Sequence, residues 1–479
     1  MPVDLVILGA GPAGLTAAWL AARRGLSVMV LERSGRVGGL SASFEVAGIR
    51  VDHGSHRLHP ATPPHLLAAL RDLLGRDLQL RPRNGRLRVG DRFVGFPLKA
   101  GELARRLPYP LLAGIARDAV TVRRGGGDTY ADVLRAGLGP TLYGALYEPY
   151  ALKLWGLPGE EIDGDQARRR VTADSPWKIA RRVLRGQAGG QGRVFHYPRR
   201  GFGQIVEALA EAAVAAGAEI RLNTACTRLA PGPDGVTVTM AAGNAGDTGN
   251  AGDGGEPTEP TEPTETTLTA AHVFSTIPMP LLARLADPGP DPAVTRAAAQ
   301  LEFRAMVLVH AVHEGGRWTP YDAHYLPGPQ TPVTRISEPA NYRVSAADPA
   351  DRTVLCLEIP CQVGDDVWTA TDHAELVREC LDRSGLPPLN LAGLEVRRLP
   401  HVYPIYRVGY ARHLAGLDAW AATLPRVTTF GRLGLFAHDN THHAMAMAAD
   451  AVAALTEDGW DATAWSAARA RFATHVVED

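Results

Sequence analysis

The chain has 479 residues, enough for two or three domains, and its 45% apolar and 21% charged fractions are those of a soluble globular protein rather than a disordered or membrane-embedded one. With 50 Lys+Arg against 51 Asp+Glu the formal net charge is −1, which gives no reason to expect nucleic acid or a membrane as partner, so any basic site must be local. Cys226, Cys356, Cys361 and Cys380 have neither CxxC spacing nor the density of a disulfide framework and are expected as reduced, buried thiols. With no basic stretch ahead of the first apolar run and no run of about 18 apolar residues, a cytoplasmic location is expected.

The opening VDLVIL is a continuous apolar run, followed by a glycine turn, the helical pattern LTAAWLAARRG and a second apolar run, SVMVLE. Strand, turn, helix and strand in this order form a βαβ unit, whose parallel sheet must be covered on both faces. Helical spacing returns over Leu66–Leu74, from about Gly101 to Arg124 with Arg-rich polar faces, and through much of 128–190 with breaks at Pro158 and Pro176. GFGQIVEALAEAAVAAG predicts an amphipathic helix ending at Gly217, and strands follow. Residues 241–267 repeat small, acidic and Pro/Thr units without apolar periodicity and read as a disordered insert at a hairpin tip. Several β-like runs between Met306 and Tyr410 suggest a second sheet, and VTTFGRLGLF leads into a small-residue helix.

Gly9, Gly11 and Gly14 form GxGxxG between the first strand and helix, and Glu32 closes the second strand. In that context the glycines serve a tight turn, close backbone approach to a pyrophosphate and helix–strand packing, while Glu32 can accept from ribose hydroxyls. The helix N-terminus adds partial positive charge under the phosphates.

Past Glu32 the sequence RSGRVGGLSAS resembles the extended FAD motif of the amine oxidase, protoporphyrinogen oxidase and UDP-galactopyranose mutase superfamily. VFSTIP at 273–278 and GRLGLFAHDN at 431–440 fit the same superfamily. VDHGSHRLHP, FVGFPLK, KLWGLPGEEI, FHYPRRGFGQ, TRISEPANY and YPIY are most similar, in this order, to the UDP-galactopyranose mutase-like branch. The resemblance implies FAD as cofactor. It implies that Arg36, Gly38, Gly39 and Leu40 run along the cofactor, that Pro278 closes over its adenine side, and that Gly431, Arg432, His442 and His443 belong to the flavin-facing C-terminal element. It further implies that His56 and His59 lie against the flavin and that Arg335 and Tyr403 contact a substrate diphosphate. His438 stands where the mutases have a diphosphate-binding tyrosine, a departure that leaves the nucleotide-sugar substrate open.

Other readings stand beside these. His56 and His59 can be polar loop residues, and Arg335 can pair with Glu338. His438, His442 and His443 with Asp439 and Asp450 have metal-ligand chemistry, but their place beside the flavin argues against a metal. The run Arg168–Arg170 and the segment 180–186 read as solvated helix faces, because no aromatic residues are interleaved for nucleic-acid stacking.

The expected fold is α/β: a Rossmann-like FAD-binding domain of discontinuous segments, 1–90, 195–300 and 420–479, with an interleaved mixed α+β substrate domain, 91–194 and 301–419. The expected function is an FAD-dependent oxidoreductase for a small polar substrate, anionic or phosphorylated. The alternative is a non-redox mutase of the galactopyranose kind.

Overall fold

In the computed structural model the described residues are 3–97, 100–121, 126–170, 194–243 and 264–477. β1 (Val3–Leu8) is apolar and buried over its last four residues because both faces are covered, and it pairs in parallel with β2 (Val28–Leu31). Between them α1 (Pro12–Ala22) is buried on almost every side, so its sequence is nearly uniformly Ala, Leu, Gly and Trp rather than amphipathic. It lies between the helices Thr441–Ala454 and Gln204–Ala215, whose small residues allow close approach.

This first sheet runs Thr224–Pro231, Val236–Ala242, Thr264–Ser275, β1, β2, Glu219–Arg221, with Val427–Thr429 paired to the end of Thr264–Ser275. Thr264–Ser275 serves two neighbours. Its first half is antiparallel to Val236–Ala242, and its second half is parallel to β1 and Val427–Thr429. The parallel core is thus assembled from three distant parts of the chain.

The second sheet runs Leu391–Pro404, Phe303–Glu314, Arg352–Cys361, Arg335–Ser337, Ala323–Tyr325, Gly85–Val89, Arg92–Phe96. The core under it is built from alternate residues of its long strands, among them Val307, Val309, Leu355 and Leu357. Helices Tyr130–Leu138, Glu148–Trp155 and Gly164–Arg170 pack into a separate cluster around Tyr143, Trp155 and Ile405. Cys356, Cys361 and Cys380 are buried and free, and Cys226 is half-buried.

Two expectations change. The insert is shorter than 241–267: Ala241–Ala242 and Thr264–Thr267 are paired strand ends, with Thr239↔Thr267 and Ala242↔Thr264 in register. Weak β-propensity there is overridden by the ladder; 244–263 lies outside the described residues, as does the 180–186 segment. Residues 85–89 belong to the second sheet rather than with 1–90, because they pair in parallel with Ala323–Tyr325. A partner more than two hundred residues away leaves no local signal.

Candidate functional site

A cleft of about 920 Å³ runs between the two sheets, within the size range of cofactor and ligand sites. At its β1 end the glycine turn fits a dinucleotide. Gly9 has φ +99°, and a Cβ there would sit 2.7 Å from Thr276 Oγ1. A Cβ on Gly14 would lie 2.0 Å from the Gly9 carbonyl oxygen, so helix and strand meet at a distance only glycine allows. Gly11 lines the cleft with nothing within 4 Å of where its Cβ would stand, leaving the backbone open to an incoming phosphate at the uncapped start of α1.

Glu32 faces the same space. Its carboxylate accepts from Ala10 N at 2.9 Å and from Ser34 N and Oγ at 2.9 Å, which keeps it in place and leaves lone pairs for hydroxyl donors. Arg36, Gly39, Leu40, Pro278, Gly431 and Arg432 line the cleft, as the motif reading anticipates. Gly14 and Gly38 do not. Gly38 donates its N–H to Ala10 O at 2.8 Å, and a Cβ on it would meet Val206 at 2.8 Å, so it joins the loop to the β1 turn.

The loop after the strand Ile49–Asp52 supplies His53, His56, Arg57 and His59 to the cleft wall. It is anchored from below: Asp52 accepts from Ser43 Oγ, Phe202 N and, through its other oxygen, Tyr197 Oη. His56 stacks on Phe202 with ring centroids 5.2 Å apart, and its Nδ1 has no partner. Burial first, aided by Arg335 and Arg432 and opposed by Asp52 and Glu358, keeps its pKa below the usual histidine value. His59 accepts from Ala61 N through Nδ1 at 3.1 Å. Burial lowers His53 to about 3.

Across the cleft, arginines and tyrosines interleave. The Arg335 guanidinium is held by Glu358 at 2.8 and 3.0 Å on one oxygen and 2.8 Å on the other, and Glu358 also accepts from Ser55 N at 2.8 Å. The partner of Arg335 is therefore Glu358 and not Glu338, which is buried and accepts from Trp318 N and Thr319 N. Arg432 donates to Asp439 O at 2.9 Å and Val402 O at 2.8 Å, and its guanidinium lies 5.1 Å from the Tyr403 ring. Arg170 approaches the same ring at 5.2 Å, and Arg57 donates to Tyr325 Oη at 3.3 Å.

Three site expectations are corrected in position. His438 is buried and does not line the cleft: its Nε2 meets Pro404 O at 2.8 Å and its ring packs edge-on against Trp155 and Tyr406, behind Tyr403. Burial holds its pKa well below the histidine norm. His442 is likewise buried, between His59 and His443, and burial lowers it to about 3. His443 caps its own helix, accepting from Asn440 N at 3.2 Å, and it is Asn440, Thr441 and Ala444 that face the cleft. Long-range packing decides these directions. The reading of Arg168–Arg170 as a solvated face also fails for Arg170, which stacks on Trp155 and Tyr403.

Asp439, His443 and His475 place one ligand-type atom each within 4.8 Å of one another. The Asn440 N–H already uses the His443 Nδ1 lone pair, and His475 Nδ1 meets Asp439 Oδ1 at 3.1 Å, so the trio is a hydrogen-bonded cluster. Burial raises the Asp439 carboxyl, and the contacts with His443 and His475 outweigh it and hold the group ionised. Sequence reasoning missed His53, Arg57, Arg170 and Glu358. The signal for Glu358 was a lone acid inside the apolar run LCLEIP, since unpaired carboxylates are almost never fully buried.

Residues 12–384 match the model of the flavin containing amine oxidoreductase family. The chain belongs to this family. Its fold is similar to that of a reduced UDP-galactopyranose mutase (19% identity, 99% of this chain and 100% of that one, TM-score 0.77). It is also similar to a putative protoporphyrinogen oxidase from Exiguobacterium sp. 255-15 (19%, 95% and 99%, 0.67) and a putrescine oxidase bound to putrescine (18%, 95% and 98%, 0.62). Among curated proteins, digeranylgeranylglycerophospholipid reductase 1 of Methanopyrus kandleri is 47% identical over 62 residues, 11% of this chain and 16% of that protein. A putative flavin-containing monoamine oxidase of Mycobacterium tuberculosis is 47% identical over 58 residues, 12% of this chain and 13% of that protein. The chain thus matches only about a sixth or less of these curated relatives. FAD is the cofactor, and the chain is an α/β flavoprotein with a Rossmann-like nucleotide domain and a substrate domain.

Proposed function

We propose that this chain is an FAD-dependent oxidoreductase that oxidises a small polar substrate carrying an anionic group. The observation that carries this reading is the Arg57, Arg170, Arg335 and Arg432 cluster, interleaved with Tyr325 and Tyr403, on the wall of the cofactor cleft. Bound FAD supplies, at its N5, the acceptor for a hydride leaving a substrate C–H bond. Gly9, Gly11 and Glu32 hold the adenosine and pyrophosphate half, and the helix start at Thr441 offers its N–H to the flavin end. Arg432 and Arg170, on the two guanidinium approaches to Tyr403, bind and orient the anion, and the Glu358 clamp fixes Arg335 beside them. Burial keeps His56 neutral at pH 7, so its imidazole can take the proton of a substrate hydroxyl or amine.

A second reading is favoured by the likeness to the galactopyranose mutase over the whole chain: non-redox isomerisation of a nucleotide sugar, in which N5 of reduced FAD is the nucleophile toward an anomeric carbon. Anaerobic titration separates the two. Bleaching of the flavin by candidate amines, alcohols or phosphorylated sugars without dithionite supports the oxidoreductase. Isomeric products formed only with pre-reduced flavin assign the mutase. Arg335→Ala with unchanged affinity for every active substrate removes its anion-binding role.

A further inference from the structure

Among the described residues two large apolar side chains stand out from the surface: Tyr109 and Val120 are each 87% exposed, whereas no other exposed large apolar residue exceeds 59%. Both lie on the helix Tyr109–Thr121, eleven residues or three turns apart. Ala113 and Ala116 fall between them at helical spacing and are exposed as well, so the four form one stripe along the outer face. The inner face is accounted for: Leu111, Leu112 and Ile115 pack against Val89, Val94 and Leu107.

The charges around the stripe are sorted by sign. Arg105, Arg106 and Arg117 are exposed. The acids of the same two helices turn inward: buried Asp118 accepts from Thr141 N at 2.7 Å, and half-buried Glu102 of Ala100–Arg106 accepts from Gly95 N at 3.0 Å. They lie 3.4 Å from Arg117 and Arg106, whose side chains nevertheless stay 69% and 58% exposed. The outer face of the helix pair therefore carries an aromatic ring, an aliphatic residue, alanines and arginines, with no exposed carboxylate. That is the composition of a helix lying in a bilayer interface, with apolar groups seated at the headgroup boundary and guanidinium groups on the phosphates. A second copy would oppose arginine to arginine. No helix among the described residues is long and apolar enough to cross a membrane, so the contact is peripheral. The helix pair follows Phe96, whose ring packs 5.1 Å from Tyr325 of the cleft wall.

We propose that the helices Ala100–Arg106 and Tyr109–Thr121 dock this enzyme on an anionic lipid surface through the Tyr109–Val120 stripe and its arginine rim. The even net charge of the whole chain masks this local site.

The test is co-sedimentation of the full-length FAD-loaded protein with vesicles of mixed phosphatidylglycerol and phosphatidylcholine and with vesicles of phosphatidylcholine alone. Arg105 in full, with Arg106 and Arg117 partly offset by Glu102 and Asp118, predicts a roughly tenfold preference for the anionic vesicles, weakened by salt. The pair Tyr109→Ser with Val120→Ser, and separately the triple Arg105→Gln, Arg106→Gln and Arg117→Gln, should each weaken binding at least about tenfold. The flavin spectrum should stay unchanged and the urea midpoint should move by no more than the loss of two exposed ion pairs, about 1 kcal/mol or less each. Val363→Ser with Val408→Ser, at two other exposed positions, should leave vesicle binding intact. Equal or absent sedimentation with the two vesicle types overturns the proposal. So does a concentration-dependent dimer abolished by Tyr109→Ser with Val120→Ser, which would assign the stripe to a second copy.

Discussion

Replacing Glu358 by glutamine removes one charge from a nearly sealed pair without changing its shape. The Glu358 side chain is 4% exposed and that of Arg335 20%, and three contacts of 2.8 to 3.0 Å join them. Breaking a buried ion pair by deleting one partner costs ~3–5 kcal/mol, because the remaining charge stays desolvated. The residual exposure of Arg335 argues for the lower end, and the amide oxygen of glutamine still accepts from Ser55 N, so Glu358→Gln should cost about 3 kcal/mol. Arg335→Met should cost a similar amount for the converse reason. The double variant leaves no buried charge and should cost far less than the sum, with a coupling energy of ~2–3 kcal/mol. Urea unfolding of the four FAD-loaded proteins at one pH reads the cycle. Additivity within about 0.5 kcal/mol would refute the idea that the pair acts as a unit. The cycle also has a functional arm. Freed of its carboxylate, Arg335 in Glu358→Gln should bind inorganic pyrophosphate more tightly than in the parent protein, as followed by perturbation of the flavin spectrum; weaker binding would place Glu358 on the ligand side of the arginine instead.

Gly14→Ala pushes a methyl group to 2.0 Å from the Gly9 carbonyl oxygen and must open the helix–strand contact at the phosphate turn. Retention of FAD, read as the ratio of flavin to protein absorbance after gel filtration, should fall about tenfold or more. His310 is buried with its pKa lowered by burial to about 4, so the unfolded chain takes up a proton that the fold refuses. Stability is complete above pH 6.5 and falls as pH drops toward 4, by about 2 kcal/mol at pH 5 from this residue alone. His310→Gln should show a shallower loss of urea midpoint between pH 7 and pH 5, and an unchanged slope would contradict the assignment. His438→Phe keeps the ring between Trp155 and Tyr406 but leaves Pro404 O without a donor, so it should cost ~1–2 kcal/mol. Turnover and the flavin spectrum should be nearly unchanged, whereas a large loss of turnover would return His438 to a direct role.

What could be read from the residues, and what could not, follows from the range of the forces involved. The glycine turn was legible because its constraints are local: Gly9, Gly11 and Gly14 answer to one turn and one helix start, and Glu32 directly follows a strand whose length is fixed by the same βαβ unit. Its lining of the cleft needed only the correct period. The second sheet was legible as strands but not as a neighbourhood, since Gly85–Val89 finds its partner at Ala323–Tyr325 and nothing near residue 85 announces this. The histidines mark the boundary most sharply. His56, His59, His438, His442 and His443 look alike in a string of letters, and their fates depend on which face of the chain a distant element covers. Trp155 and Pro404 seal His438, the Asn440 backbone takes up His443, and only the Ile49–Asp52 strand, anchored through Asp52 to Ser43, Tyr197 and Phe202, turns His56 into the cleft. The arginines obey the same logic with opposite sign. A guanidinium is too costly to bury without partners, so Arg335, Arg432 and Arg170 are found wherever a carboxylate, a carbonyl or an aromatic face can receive them. In this chain those receivers, Glu358, Val402 O, Asp439 O and Tyr403, all border the cleft between the two sheets. The chemistry of the site is therefore set by the second sheet, which delivers every one of these receivers except Asp439, as much as by the nucleotide fold that the glycines announce.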